Sequence, residues 1–273
     1  MIAGGGSLPV SLARYCRAIG RPVFVIRLRG FADPELEDFD GVDLGIGRLG
    51  AAIEALRNAR CQAVCFAGAV ARPDLKNLRP DLRGLAALPG AIAAASRGDD
   101  SLLTFLLGEF QKEGFTAEGA HEVMAELVLG AGPLGRHKPK RAHRADIARA
   151  LETARAVGMM DAGQGAVACD GLILALEAQE GTDAMLARVA GLPVAVRGTP
   201  ERRRGVLAKA CKPGQERRVD LPTIGPATIR RAAEAGLAGV VGEAGLTLLV
   251  ERDRVATLAD DLGLFVLGVQ PPA

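Results

Sequence analysis

The densest concentration of chemically able side chains lies between residues 209 and 225, KACKPGQERRVDLPTIG. Here Lys209, Lys212, Arg217 and Arg218 share a Pro- and Gly-broken stretch with Glu216 and Asp220. Two lysines three apart with arginines beyond them can neutralise a diphosphate, and guanidinium forks match phosphate oxygens. An aspartate among cations stays ionised, fit to hold a metal or to orient an attacking water. The plain alternative is a solvated charged loop, although a segment this long and polar is of the kind that carries function. A second group is the acidic run 177–183, EAQEGTD, with Glu177, Glu180, Thr182 and Asp183. Hard oxygen donors of this kind suit Mg²⁺. The alternative puts Glu177 and Glu180 in solvent and leaves Thr182 as a helix N-cap.

Two glycine turns complete the set. Gly4, Gly5, Gly6 and Ser7 stand where a short strand would feed a helix, and backbone amides there could cradle a phosphate. The competing reading is a tight turn that needs glycine for positive φ. The pattern is not the dinucleotide fingerprint, because Pro9 interrupts it and Arg27 and Arg29 stand where a ribose-binding acid is expected. That argues against a nicotinamide-dependent oxidoreductase, which stays open as an alternative beside a non-catalytic nucleotide-binding module. The second turn, Gly68 followed by Arg72, sits past a further strand, at the edge where open α/β sheets bind ligands. Arg72 is either a ligand contact or a solvated loop residue.

Composition removes other classes. The 273 residues carry 34 Lys and Arg against 32 Asp and Glu, a net +2, which leaves no broad footprint for nucleic acid. Trp is absent and Tyr15 is the one tyrosine, so base-stacking platforms are not expected either. The five cysteines are odd in number and irregularly spaced, and three His share no zinc spacing with them. Free thiols in a reducing cytoplasm fit that pattern. No G-x-S-x-G is present, no long apolar run suggests a membrane span, and no secretory signal opens the chain. Arg202, Arg203 and Arg204 read as a solvated patch, or as a contact for anionic headgroups.

The elements that must position these groups alternate. Helical spacing runs from Leu8 to Ile19 and over 49–59, with short apolar runs at 23–26, 42–46 and 63–67 that read as buried strands. Only three residues precede Gly4, so the first strand is expected to be a stub, or the true start to lie upstream. The stretch 90–107 reads as helical, with Asp99 and Asp100 suited to cap a helix near Ser101. Beyond it, 130–144 is rich in Gly, Pro and cations and reads as a linker. The second half gives a helix at 145–157 and an Asp170-Gly171 hairpin, then further helices at 182–189, 226–235 and 252–262. Strands at 205–210, 240–241, 246–250 and 265–267 lie among them. The expectation is an α/β protein of two domains. Residues 1–130 form a Rossmann-like domain with a mostly parallel sheet, 131–144 the linker, and 145–273 a mixed α/β domain with hairpins.

Taken together, several segments resemble the LpxI family, the UDP-2,3-diacylglucosamine pyrophosphatases of lipid A biosynthesis. They are IAGGGSLP (2–9), AG (67–68) with Arg72-Pro73, GDD (98–100), GAH (119–121), DAGQG (161–165), EGTDAM (180–185) and VDLPTIG (219–225). The resemblance implies a Mg²⁺-dependent hydrolase cleaving UDP-2,3-diacylglucosamine to UMP and 2,3-diacylglucosamine 1-phosphate (lipid X). Water would attack the phosphorus nearer the sugar, with two domains closing on the substrate. It places the essential aspartate at Asp220; chemistry read from the residues themselves adds Lys209, Lys212 and Arg218 as phosphate-neutralising partners. Asp220 and Asp183 become the metal carboxylates. Gly4, Gly5, Gly6, Ser7, Gly68, Arg72, Gln164, Thr182 and Asp183 become the substrate contacts. A cytoplasmic enzyme meeting an amphiphile at the inner-membrane surface without an anchor is implied as well. A homodimer is the expectation from the commonness of symmetric dimers.

Overall fold

The computed structural model describes residues 1–71, 78–212, 214 and 216–272. Arg72 lies outside them. The chain divides into two compact units, one formed by 1–125 together with 216–220, the other by 126–215 and 221–273.

The first unit opens with β1 (Ile2–Ala3), α1 (Ser7–Ala18), β2 (Val25–Leu28), β3 (Gly41–Leu44) and α2 (Leu49–Asn58). It continues through β4 (Ala63–Val64), β5 (Phe66–Ala67), α3 (Leu82–Ala95), α4 (Asp99–Lys112), β6 (Thr116–Ala117) and α5 (Ala120–Val123). Its main sheet runs β3-β2-β1-β5, and every pairing is parallel. The first strand is indeed two residues long, yet it sits mid-sheet, with Ile2 opposite both Ile26 and Phe66. The apolar run 63–67 is not one strand: β4 pairs with β6 while β5 pairs with β1. The core is aliphatic with four phenylalanines, Ile26, Leu56, Val64, Leu107, Phe110, Phe115 and partly Phe24 and Phe66 meeting there. Phe110 makes edge-on contacts with Phe66 and Phe115. The helical stretch 90–107 belongs to two helices, because Gly98 at φ +127 ends one path and opens another. Gly98 rather than an aspartate is the N-cap of α4, and Asp99 is its first residue.

The second unit contains β7 (Gly132–Leu134), α6 (Arg144–Met159), β8 (Gly165–Cys169), β9 (Leu172–Leu176), α7 (Gly181–Ala190) and β10 (Val206–Lys209). After these come β11 (Thr223–Ile224), α8 (Pro226–Glu234), β12 (Gly239–Glu243), β13 (Leu248–Leu249), α9 (Arg252–Leu262) and β14 (Phe265–Val269). Six strands form one mixed sheet, β7-β14-β12-β10-β8-β9. The three central strands are parallel, β7 and β8 run against them, and β9 runs against β8. Alternate residues of β10 serve opposite faces: Val206 and Ala208 pack under α6 with Ala150 and Leu151, while Leu207 joins Leu186, Ile229 and Val240. Fully burying one such aliphatic side chain contributes roughly 1.5–3 kcal/mol.

The expected linker 131–144 therefore begins with a strand. Pro133 is tolerated because β7 is an edge strand, where a missing N–H costs no internal ladder bond. The Asp170-Gly171 hairpin forms as expected, with both residues at positive φ, +49 and +80. The carboxylate of Asp146, 4% exposed on α6, accepts both turn amides at 3.1 and 2.8 Å, which fastens the hairpin to the helix.

Candidate functional site

In the N-terminal unit the glycines of the β1–α1 turn have distinct duties. The Gly4 and Gly5 amides donate to Ala67 and Ala69 carbonyls at 2.8 Å each, so they are not bare anion donors. Their lack of side chains lets two strand-end loops touch. A Cβ on Gly4 would stand 2.6 Å from Ala69 O, and one on Gly68 would stand 2.6 Å from Gly5 O. Only Gly6 needs glycine for its conformation, at φ +92 as the N-cap of α1, with open space around it. No side chain caps α1, and Pro9 at its third position has no N–H. The amides left for an anion are thus those of Gly6, Ser7 and Leu8, fewer than the sequence suggested.

The segment 216–220 belongs to this same unit. Val219 packs against the N-terminal core, and its amide and that of Asp220 turn back to Glu216 O at 3.0 and 3.4 Å. A Cβ on Gly119 would stand 3.0 Å from Arg218 Cα, so glycine is needed there for the segment to approach. Arg218 closes its fork on Glu216, Nε to Oε1 at 2.8 Å and Nη2 to Oε2 at 2.6 Å. The hydrogen bonds from Arg218 outweigh burial and hold the Glu216 carboxyl below its ordinary range. Arg218 is therefore already neutralised by a carboxylate, and a phosphate would have to displace Glu216 to use it. Asp220 is half-buried at the end of this turn. His121 lies nearby on α5, its Nδ1 buried without a hydrogen-bond partner among the described residues.

The C-terminal unit holds the most tightly built polar group. Lys209 ends β10 at 5% exposure, and its Nζ donates to Thr182 Oγ1 at 2.8 Å and to Thr223 O at 3.2 Å. Thr182 Oγ1 donates in turn to Glu177 Oε1 at 2.7 Å. Glu177 is 6% exposed, so the solvent-facing alternative does not hold for it. Nor does Thr182 cap α7, whose N-cap is Glu180. The acidic run separates by function: Glu177 turns inward, Glu180 pairs with Arg188 on the surface, and Asp183 is exposed in the first turn of α7.

Gln164 shares this corner. Its carbonyl accepts Ala210 N at 2.9 Å, while its Oε1 is buried with no partner among the described residues. The strand register sets Lys209 opposite Gly165, and Glu177 N bonds Gly165 O at 2.9 Å. Beyond β10 the loop is tethered twice. Cys211 N donates at 2.9 Å to Glu243, 3% exposed and paired to Arg155, and Lys212 Nζ meets Asp161 at 2.7 Å.

Other expectations are adjusted by the same geometry. In the arginine patch Arg202 is exposed, while the half-buried Arg203 donates to the carbonyls of Ala233 and Leu237 and Arg204 to those of Val194, Ala195 and Arg197. The five cysteines are free, and burial pushes the Cys65 and Cys169 thiols up to about 11, so neither is a ready nucleophile. Among the described residues no three His, Cys, Asp or Glu side chains gather as a metal cage. Mg²⁺ does not need one, since it is commonly held by one or two carboxylates together with substrate phosphates.

Two family matches tile the chain, the LpxI N-terminal domain over residues 1–127 and the LpxI C-terminal domain over 130–267. The chain belongs to the LpxI family. A relative from Caulobacter vibrioides (strain ATCC 19089 / CIP 103742 / CB 15) carries the description UDP-2,3-diacylglucosamine pyrophosphatase LpxI. It is 62% identical over 271 residues, covering 99% of this chain and 97% of the relative. In this LpxI-family chain the residue that sequence reasoning undervalued is Glu177. Its signal was present in Gly163 and Gly165, glycines whose Cβ atoms would stand 2.2 Å from Glu177 O and 2.4 Å from Glu177 Oε2.

Proposed function

We propose that this chain hydrolyses the pyrophosphate of UDP-2,3-diacylglucosamine to UMP and 2,3-diacylglucosamine 1-phosphate, a step of lipid A biosynthesis. The observation that carries the proposal is the near-full-length 62% identity to a protein described as that pyrophosphatase. Pyrophosphate cleavage needs anionic charge compensated, a water held in line and a leaving group stabilised. Lys209 spends two N–H groups on Thr182 and Thr223 and keeps a third for a phosphate oxygen. Lys212, held by Asp161, adds a second cation. Asp220 provides the carboxylate that orients water or binds Mg²⁺, with Asp183 as a further oxygen donor. When bound, Mg²⁺ supplies charge neutralisation on the phosphates. Arg218, engaged by Glu216, shapes the turn that presents Asp220.

Ser7 and the Gly6 and Leu8 amides are proposed to meet an anionic part of the nucleotide. Because a diacylated substrate partitions to a bilayer, the encounter is proposed to occur at a membrane surface. None of the described helices is long and apolar enough to cross one. The test is incubation with UDP-2,3-diacylglucosamine, with Mg²⁺ and with a chelator, reading UMP by chromatography and lipid X by mass spectrometry. UMP release that the chelator suppresses is expected. No release overturns the function, and release indifferent to the chelator overturns the metal.

A further inference from the structure

We propose that Glu177 is a positioning residue for the reaction, acting through Thr182 to aim Lys209. The inference rests on the proposed phosphate chemistry of Lys209. Three groups stand in a line, Lys209 Nζ 2.8 Å from Thr182 Oγ1 and Thr182 Oγ1 2.7 Å from Glu177 Oε1. An ammonium only donates and a carboxylate only accepts, so the hydroxyl has no freedom. It must give its single proton to Glu177 and offer a lone pair to Lys209. The carboxylate thereby fixes where the lysine head sits, and Thr223 O at 3.2 Å fixes a second direction. What remains of the ammonium is one N–H with a defined heading.

The surroundings point to function rather than to stability. Glu177 and Lys209 form no direct ion pair among the described residues, although both are more than nine-tenths buried. Glu177 Oε2 is buried and has no hydrogen-bond partner among the described residues. Leaving such an acceptor unmade carries the desolvation penalty of the buried group with nothing to offset it. An aliphatic side chain at 177 would avoid that cost. The sequence instead keeps the carboxylate and clears room for it with Gly163 and Gly165 on either side of Gln164. A buried polar chain retained at a cost, ending on a lysine with a spare donor, is the arrangement expected of a preorganised phosphate contact.

The experiment compares E177A, E177Q, T182S and T182V with the parent protein, each checked for fold by its melting curve. Because the lysine is aimed at the reacting phosphate, E177A is expected to lower kcat about 100-fold with KM within about threefold. T182S, which keeps the hydroxyl, should retain at least half of kcat. T182V should resemble E177A, and the double variant E177A/T182V should be no worse than either single one. Should E177A fail to fold, E177Q serves, with an expected loss of about tenfold. Normal kcat in a folded E177A or E177Q, or losses that multiply in the double variant, overturns the inference. If the parent protein itself releases no UMP, the function fails instead. If the parent turns over and the Glu177 variants do likewise, only the positioning role fails.

Discussion

Replacing Gly165 by alanine is the sharpest single perturbation of this corner. The new Cβ would stand 2.4 Å from Glu177 Oε2, against 3.4 Å for ordinary contact, so the carboxylate must retreat by 1.0 Å. It cannot do so freely, since it is buried and Thr182 is bonded to its other oxygen. Overpacking of this kind costs about 1–3 kcal/mol. At roughly 2–4 °C per kcal/mol for a unit of this size, Tm should fall by about 2–12 °C. A displacement near 1 Å beside the chemistry can cost about 100-fold in rate, so kcat for UMP release should drop on that scale. Gly239 provides the comparison. Its Cβ would meet the Phe265 ring at 2.5 Å, within the core and away from Lys209. G239A should therefore lower Tm while leaving kcat of the folded protein within about twofold. Differential scanning calorimetry with steady-state assays on both variants decides the matter. Parent-like kcat in G165A, or equal kcat loss in both, would refute the reasoning.

Other outcomes follow from the same contacts. E243A removes the acceptor shared by Arg155 and Cys211 N; with Arg155 partly exposed, a stability loss of about 2–4 kcal/mol is expected in urea titration, with faster proteolysis after residue 211. D81A withdraws the side chain that accepts Gly84 N at 2.8 Å and Ala51 N at 2.9 Å, thereby uncapping two helices, and should cost about 2 kcal/mol by the same titration. Burial raises the Asp81 carboxyl, but those amides, Gly50 N and Arg48 together hold it below its ordinary range. Its contribution is then complete above that range and is lost as pH falls through the depressed value, so the Tm gap between parent and D81N should narrow on acidification. Glu216 is depressed mainly by Arg218, and the sign is the same, so acid should loosen the 216–220 turn, read as increased amide exchange at Val219 and Asp220.

Much of this architecture was legible because period and punctuation agree with tertiary packing. The apolar spacing of α1 and α2, the Asp170-Gly171 turn and Pro226 at the start of α8 are local signals that the fold did not override. What stayed hidden depends on partners distant in sequence. The run 63–67 divides because its two halves pair with strands from opposite ends of the unit, and no local pattern encodes that. Pro133 masked a strand because an edge position forgives it. Lys209, Thr182 and Asp220 stood out in the sequence through composition and the segments shared with the LpxI family. The burial of Glu177 was not legible, since a Glu between leucines and an N-cap looks solvent-facing until the glycines at 163 and 165 are seen to make room for it. The spent amides of Gly4 and Gly5 were equally invisible, because their acceptors lie more than sixty residues away at Ala67 and Ala69.

The central claim is that Asp220 serves pyrophosphate hydrolysis of a UDP-linked glycolipid. Single-turnover release of UMP from UDP-2,3-diacylglucosamine by D220A, at matched folded concentration, measures it most directly. The account requires release to fall by at least about 1,000-fold with the melting curve retained; release at the parental rate would contradict it.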